Sequence, residues 1–192
     1  MTPNRLSLLA LTLCLSISGC SSVLTATRDK PIEDDRGTRT FGSKIDDSLI
    51  ETKVAVNVAK ANPDLDEGSH IVVSSFNGIV LLAGQTPRAD LKALAEQAAS
   101  SVQRVKKVNN ELQVIAPSSL LARNNDAWLT TKIKTQMLTD NTIPGSRIKV
   151  VTENGIVYLL GLVTQQEATR ATNLVQGVSG VQKIVKLFEY ID

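Results

Sequence analysis

One stretch occurs twice in the chain: NGIVLLAG at residues 77–84, and NGIVYLLG 77 positions later, at residues 154–161. Each copy starts with Asn-Gly, the pair best suited to a type I′ turn because both central residues of that turn need a positive φ. Each continues as an apolar run and stops at a glycine, Gly84 or Gly161. The stretch predicts a hairpin turn, the second strand of the hairpin, and a glycine where another part of the backbone passes close by.

The residues before each stretch repeat too, and they predict a helix. Apolar residues recur there every four positions, which places them on one face of a helix. They are Ile50, Val54 and Val58 and, 79 positions later, Leu129, Ile133 and Met137. We expect Asp47 and Asp126 to be the N-caps of these two helices.

The residues after each stretch predict a second helix and a closing strand. Thr86 followed by Pro87 suits the start of a helix, and Thr164 with Glu167 forms a capping box at the equivalent place. The buried sides of these helices carry Leu91, Leu94, Ala95, Ala98 and Val102, and then Ala168, Ala171, Leu174, Val175 and Val178. The closing strands are expected over residues 105–114 and 181–190.

The chain is therefore predicted to hold two tandem αββαβ modules, at residues 46–114 and 124–192, joined by a linker at residues 115–123. We expect an α+β fold in which each module has a three-stranded mixed sheet packed by two helices on one face. The last strand returns through a crossover helix. Gly84 and Gly161 are interpreted as structural, because no side chain fits where they lie. Modules of this size have small cores, so we expect the pair to pack against each other.

The N-terminus has the pattern of a bacterial lipoprotein signal. Arg5 is the only charge before an apolar segment at residues 6–17, which is too short to span a bilayer. Residues 17–20, Ile-Ser-Gly-Cys, resemble the lipobox, in which the signal is removed before the cysteine and the cysteine is lipidated; Ile17 stands where Leu is usual. We expect a signal peptide at residues 1–19 and a lipid on Cys20. The alternative is an ordinary signal peptide that leaves Cys20 as a free thiol.

The segment after the cysteine predicts a tether and a location. Residues 20–45 mix both charge signs with few apolar residues, so they are expected to form a flexible tether without a core of its own. Ser21 and Ser22 stand where an aspartate would resemble an inner-membrane retention signal. We therefore expect a lipid-anchored protein of the outer membrane that faces the periplasm.

Composition and residue inventory exclude several classes of function. A formal net charge of +2 and 3% aromatic residues provide neither a field nor a stacking platform for nucleic acid. His70 is the only histidine, and both cysteines belong to the signal and its lipid site, so neither a catalytic triad nor a zinc site is expected. No glycine-rich phosphate loop follows a strand. We expect no enzyme activity, no cofactor, no metal and no small-molecule substrate.

The repeated unit resembles the BON domain. The resemblance rests on the hairpin motif N-G-x-V-x-L-x-G, which is intact twice, and on a V-x-G-V segment that is present at residues 178–181 but lacks its glycine at residues 102–105. With the lipobox, the chain resembles the dual BON-domain lipoproteins of the outer membrane and division site. The resemblance implies a periplasmic, non-enzymatic protein that binds phospholipid and supports outer-membrane integrity. The fold alone names no ligand.

The first helix of the second module differs from its counterpart on the side turned away from the core. At about 100° per residue, Gln136 joins the apolar core side, and the opposite side collects a different set. That set is Trp128, Thr131, Lys132, Lys134, Thr135 and Leu138. An exposed tryptophan beside lysines is typical of a contact with anionic phospholipid, because indole prefers the headgroup level and lysine is attracted to anionic lipid.

Two alternatives remain open at this point. Leu49 and Val56 occupy the equivalent outer side of the first module, so Trp128 could instead be buried between the modules. If Trp128 is exposed, the chain is expected to bind an anionic phospholipid membrane shallowly and reversibly, with the Cys20 lipid as the permanent attachment. The competing function is a protein-interaction adaptor for an envelope assembly machine or a cell-wall enzyme, which would dock on exposed strand edges or the module joint.

Overall fold

Both copies of the repeat form the same sequence of elements in the computed structural model, which describes residues 37–192. Residues 1–36 hold the predicted signal peptide, Cys20 and most of the predicted tether, and these lie outside the described residues. All described residues belong to one compact unit. A chain of residues 21–192 therefore keeps that whole unit.

The first module has the elements α1 (Phe41–Ala61), α2 (Pro63–Asp66), β1 (His70–Phe76), β2 (Ile79–Thr86), α3 (Ala89–Ser100) and β3 (Lys107–Val114). The second has α4 (Leu120–Thr139), a short 3-10 helix (Gly145–Arg147), β4 (Ile148–Glu153), β5 (Ile156–Val163), α5 (Gln165–Gln176) and β6 (Lys183–Tyr190). The single turn α2 is capped by the Asn62 side chain.

Each module contains one mixed three-stranded sheet, which confirms the predicted α+β fold. The strand orders are β1-β2-β3 and β4-β5-β6. The hairpin pairs are antiparallel, and the central strand pairs in parallel with the closing strand. The turns between the hairpin strands have positive φ at both central residues, 53° and 80° at Asn77 and Gly78 and 51° and 73° at Asn154 and Gly155, as a type I′ turn requires.

The central strands are buried on both faces. Val80 and Leu82 of β2 pack with helices α1 and α3, whereas Leu81 and Ala83 point the other way. Those other faces meet the second module, in an apolar cluster formed by Phe76, Leu81, Ala83, Ile156, Tyr158 and Leu160. The two sheets therefore pack on each other, and each module's helices form an outer layer.

Two hydrogen bonds show that the repeat relates the modules symmetrically. Asn77 Nδ2 donates to Glu189 Oε1 at 2.9 Å, and Asn154 Nδ2 donates to Gln113 Oε1 at 3.4 Å. In each case the turn asparagine of one module reaches the end of the closing strand of the other. The predicted packing of the pair is thus realised through the sheets.

Asp47 and Asp126 are not N-caps, and this prediction was wrong. Helix α1 begins at Phe41 with Thr40 as its N-cap, and α4 begins at Leu120 with Ser119 as its N-cap. The first helices thus extend into the segments predicted as tether and linker. Both aspartates lie more than one turn inside their helices and are buried, so their carboxylates do not reach a free helix end.

The two aspartates bind the hairpin turns instead. The Asp47 carboxylate accepts hydrogen bonds from Asn77 N at 2.8 Å and Gly78 N at 2.9 Å. Asp126 does the same for Asn154 N and Gly155 N, at 2.8 and 2.9 Å. Burial opposes the charge of Asp47, but its bonds from Gly78 N and the Ser75 hydroxyl hold its pKa below the ordinary value. The first helix of each module is therefore fastened to the Asn-Gly turn.

The two predicted caps of the second helices had different outcomes. The capping box is confirmed: Glu167 N donates to Thr164 Oγ1 at 3.2 Å, and Thr164 N donates to Glu167 Oε2 at 2.8 Å. Thr86 caps nothing, because it is the last residue of β2 and pairs with Val114. Helix α3 starts at Ala89, and its N-cap residue Arg88 makes no side-chain capping bond.

Gly84 and Gly161 lie inside strands β2 and β5, with pairing partners on both sides, and not at the point where the strand leaves the sheet. A Cβ atom at position 84 would lie 2.0 Å from the His70 carbonyl oxygen, and the φ of Gly84 is +120°. At position 161 it would lie 2.9 Å from the Arg147 carbonyl oxygen. Both glycines therefore allow the hairpin partner to come close, and Gly84 does so more strictly.

Candidate functional site

Helix α4 has one face in the core and one face in solvent. Its buried face is formed by Asp126, Leu129, Ile133 and Met137. Trp128 is 59% exposed and Leu138 is 64% exposed. The interpretation that buries Trp128 between the modules is wrong, because the modules meet through their sheets and leave their helices outside.

The other predicted residues lie on the same outer face, which we call the α4 outer face: Trp128, Thr131, Lys132, Lys134, Thr135 and Leu138. Thr131, Lys134 and Thr135 are exposed, and Lys132 is half-buried. Gln136, which the helical projection had placed on the core side, is exposed as well. The core needs only the stripe at every fourth position, so Gln136 lies at its edge and turns to solvent.

Lys132 and Trp128 form a pair on this face. The Lys132 Nζ atom lies 5.1 Å from the centre of the Trp128 ring, within the range of a cation–π interaction. The two residues are four apart and so lie one helical turn from each other. A cation is thereby held against the only indole in the protein.

Lys134 borders the opposite side of the same face. Two residues at about 100° each separate Lys134 from Lys132, so the apolar and threonine side chains lie between the two lysines. Lys134 and Leu138 also line a groove between α1 and the second module. The α4 outer face is therefore an exposed apolar strip with a cation on each flank.

Two further residues of this surface were missed from the sequence. Leu120 and Leu121 are 76% and 79% exposed, in the first turn of α4. Leu121 lies seven residues before Trp128, which is two helical turns on the same side. The sequence prediction places this segment in the linker, because it makes Asp126 the N-cap. Ser119 followed by two leucines was the signal for an earlier helix start.

Helix α1 presents a different outer face. Phe41, Ile45, Leu49 and Val56 are exposed there. By the 79-residue repeat, Leu49 corresponds to Trp128, Lys53 to Lys132 and Ala55 to Lys134. The first module therefore exposes apolar residues with one of the two flanking lysines and without the indole.

The single histidine forms part of the module interface. His70 Nε2 lies 3.4 Å from Glu153 Oε2, which links β1 of the first module to β4 of the second. Burial and the nearby charge of Asp126 raise the pKa of Glu153 to about 7. Burial and the charge of Arg123 lower the pKa of His70. Both shifts favour a neutral pair near neutral pH, so the contact is a partly buried polar link between modules.

Within residues 37–192, no group of three or more His, Cys, Asp or Glu side chains is placed to hold a metal ion. Over the same residues, no helix combines the length and hydropathy needed to cross a bilayer.

Comparison with known proteins identifies the family. The BON domain matches residues 46–116 and again residues 125–192, which cover most of the chain. The chain therefore belongs to the BON-domain family and carries the domain twice. This confirms the resemblance to the BON domain that the duplicated hairpin motif indicated.

Individual relatives place it among envelope proteins. It is 40% identical over 154 residues to outer membrane lipoprotein DolP of Haemophilus influenzae, across 80% of this chain and 79% of that protein. It is 33% identical to the 21 kDa hemolysin of Actinobacillus pleuropneumoniae, across 80% and 78%. It is 30% identical to osmotically-inducible protein Y of Escherichia coli, across 74% and 72%. The chain is an envelope lipoprotein with two BON domains, and its predicted outer-membrane localisation is confirmed.

Proposed function

We propose that this protein contacts anionic phospholipid through the α4 outer face and thereby supports the integrity of the outer membrane. The observation that carries the proposal is Trp128, whose side chain is 59% exposed and has the Lys132 ammonium over its ring. Tryptophan favours the headgroup level of a bilayer, where its ring is shielded and its N–H remains hydrated. A large exposed apolar surface flanked by charge is also typical of a contact site.

Both charge and apolar area on the α4 outer face contribute to membrane binding. Lys132 and Lys134 each gain about 1 kcal/mol beside an anionic surface. Leu121, Trp128 and Leu138 supply exposed apolar area on the same helix. The main apolar stripe of α4 is already used by the core, so the helix enters the membrane only to a shallow depth and binds reversibly.

The proposed lipid on Cys20 supplies the permanent attachment. A protein held to a membrane by a tether meets that membrane at high effective concentration, so a weak second contact is occupied much of the time. This role requires no catalysis, cofactor, metal, nucleic acid or small-molecule substrate. His70, the residue best suited to acid–base chemistry, lies 3.4 Å from Glu153 between the modules.

The test is binding of residues 21–192 to vesicles. We expect the protein to co-sediment with vesicles that contain phosphatidylglycerol and not with phosphatidylcholine vesicles. Trp128 is the only tryptophan, so a blue shift of its emission reports entry of the indole itself. Trp128→Glu should weaken binding at least about tenfold, because it removes the indole and adds a repelled charge.

Leu49→Glu is the matched control, since Leu49 is the equivalent residue of the first module and is 51% exposed. It makes the same change in net charge and should leave binding close to the unmodified protein. Binding that is equal on neutral vesicles, or that survives Trp128→Glu, would contradict the proposal. In cells, Trp128→Glu should increase sensitivity to detergent while Leu49→Glu does not.

The exposed side of α1 favours a second candidate, an adaptor that docks an envelope assembly machine or a cell-wall enzyme. Phe41 is 79% exposed there, and Ile45 and Leu49 follow it on the same side of the helix. Photo-crosslinking residues placed in cells at positions 128 and 41 separate the two functions. Lipid adducts at position 128 support the membrane contact, and protein adducts at position 41 support the adaptor.

A further inference from the structure

We infer that the groove between the two modules binds the phosphate of an anionic phospholipid, so that the first module takes part in membrane binding through Lys44. The groove has a volume of about 420 Å³, within the range of roughly 300–1,000 Å³ common for ligand sites. It is bordered by α1 on one side and by the end of α4 and the start of β4 on the other. The inference rests on the proposed function and gives it a defined headgroup site.

The groove is basic. Arg39, Lys44, Lys134 and Lys149 line it together with two carboxylates, Asp47 and Glu51, which leaves a formal charge of +2. Both carboxylates are already engaged. Asp47 accepts from Arg39 at 2.5 Å and from the hairpin turn, and Glu51 pairs with Lys149 and accepts from Ser75 N at 2.7 Å.

Two of the cations have no such partner. Among residues 37–192, neither the Lys44 nor the Lys134 ammonium makes an ion pair or a hydrogen bond. Both are exposed, and they come from different modules. A phosphate diester carries one negative charge and several acceptor oxygens, which matches two unengaged ammonium groups at one groove.

The apolar lining continues the α4 outer face. Leu138 belongs to both surfaces and is 64% exposed. Phe76 and Ile148 line the groove as well, and the Arg39 guanidinium lies 3.7 Å from the centre of the Phe76 ring. A phospholipid whose phosphate lies between the lysines could therefore keep its glycerol and first methylenes against apolar side chains, next to the inserted helix.

The opposite edge of the molecule shows that this basic character is not a by-product of the duplication. The repeat places Ala55 where the groove has Lys134, and Val72 where it has Lys149. That edge holds the neutral link between His70 and Glu153. The opposite edge keeps one cation, Arg123, which stands where the groove has Lys44, but it lacks the equivalents of Lys134 and Lys149.

The test compares Lys44→Gln with Lys53→Gln in residues 21–192, using phosphatidylglycerol vesicles. Both lysines are exposed residues of α1, and both substitutions remove one charge, but Lys53 does not line the groove. We expect Lys44→Gln to weaken binding about fivefold and Lys53→Gln to change it by less than twofold. Equal losses would overturn the groove, since they would reflect net charge alone.

The failure of this inference differs from the failure of the proposed function. If the unmodified protein does not bind anionic vesicles, or if Trp128→Glu does not change that binding, the proposed membrane contact itself is wrong. If both of those results hold and Lys44→Gln equals Lys53→Gln, only the groove is wrong. Equal unfolding midpoints in urea for the two variants show that the comparison is between folded proteins.

An amide NMR titration identifies the source of the phosphate. Soluble short-chain phosphatidylglycerol should shift the amides of Ser48 and Lys149 in the groove together with those of the α4 outer face. Shifts confined to the α4 outer face would overturn the groove. Inorganic phosphate at the same concentration should shift the groove amides far less than the lipid does. Equal shifts would assign the groove to free anions and overturn its role in lipid binding.

Discussion

The two modules agree where each holds its own hairpin and differ where each faces outward. In both, a buried aspartate of the first helix binds the two N–H groups of an Asn-Gly turn at 2.8 and 2.9 Å. On the outer side of the same helix, the first module has Leu49 where the second has Trp128. The residues that stabilise the fold and the residues that differ between the modules thus lie on opposite faces of the same helix.

The two edges between the modules differ in the same way. One edge has the groove with Lys44 and Lys134, and the other has the half-buried His70 beside the buried Glu153. In the second pair the carboxylate Oε2 of Glu153 has no hydrogen-bond partner among residues 37–192. One edge therefore presents two lysines to solvent, while the other buries the carboxylate of Glu153. The duplication supplied two equivalent edges, and these now differ in the number of cations they carry.

The largest expected effect is a loss of stability on substitution of the repeated glycines, and it should differ between the two. Gly84→Ala should lower the free energy of unfolding by roughly 4 kcal/mol or more, because its Cβ would lie 2.0 Å from the His70 carbonyl oxygen at a φ of +120°. Gly161→Ala should cost about 1–2 kcal/mol, because the contact with the Arg147 carbonyl oxygen is 2.9 Å and no positive φ is needed. Urea unfolding followed by circular dichroism measures both.

Gly177→Ala is the control for this comparison. Its Cβ would meet the Leu174 carbonyl oxygen at 3.5 Å, an ordinary contact, so the change should stay within about 0.5 kcal/mol. Equal losses for Gly84→Ala and Gly161→Ala would show that the two strands adapt equally well to a side chain. The structural difference between the copies would then have no energetic consequence.

A pH-dependent effect of intermediate size tests the second edge. Burial raises the pKa of Glu153 from an ordinary 4.5 to about 7, so its ionisation costs folding free energy. This cost is absent at pH values below about 4.5, grows as the pH rises, and is complete above about 7. Between pH 5 and pH 8, Glu153→Gln should therefore lose about 2 kcal/mol less stability than the unmodified protein.

The His70 contribution runs in the opposite direction. Its lowered pKa means that protonation is penalised in the fold, so this part of the stability is present above pH 6.5 and is lost as the pH falls through the lowered value. Urea unfolding at pH 5, 6.5 and 8 separates the two trends. If Glu153→Gln has the same pH dependence as the unmodified protein, Glu153 is ionised in the fold at no cost and the edge is not a neutral one.

Much of this fold could be predicted from the sequence, because repetition makes local patterns testable twice. The type I′ turns, the mixed sheets and the capping box at Thr164 each depend on residues within a few positions of one another. The aspartates were misassigned because their partners lie about 30 positions away: Asp47 binds Gly78. An aspartate before a helical stripe has the same sequence pattern whether it caps the helix or binds a distant turn.

The packing of the modules had a signal that the prediction did not use. The run Ile79–Ala83 does not alternate, and a strand that is apolar at successive positions is buried on both faces. Each module has helices for only one face, so the second face required the other sheet. If the second face of each sheet packs on the other sheet, the helices must lie on the outside of the pair, and Trp128 is then exposed. The groove had no such signal, because Lys44 and Lys134 are distant in sequence and belong to different modules. They line one groove only when the two modules pack together.

The smallest expected effect is a transfer of membrane binding from one module to the other. In a chain carrying Trp128→Glu, the changes Leu49→Trp and Ala55→Lys give α1 the equivalents of the indole and of Lys134, while Lys53 already matches Lys132. We expect binding to phosphatidylglycerol vesicles to recover by about fivefold over Trp128→Glu alone. Recovery should be incomplete, because Val72 stands where the groove has Lys149, so the edge that holds His70 lacks that cation. The new indole is the only one in that chain, so its emission should shift to the blue on vesicles.

Leu49→Trp without the lysine is the control and should recover less. No recovery and no spectral shift would mean that the outer residues alone do not make the site, and that the groove lined by Lys134 and Lys149 is required.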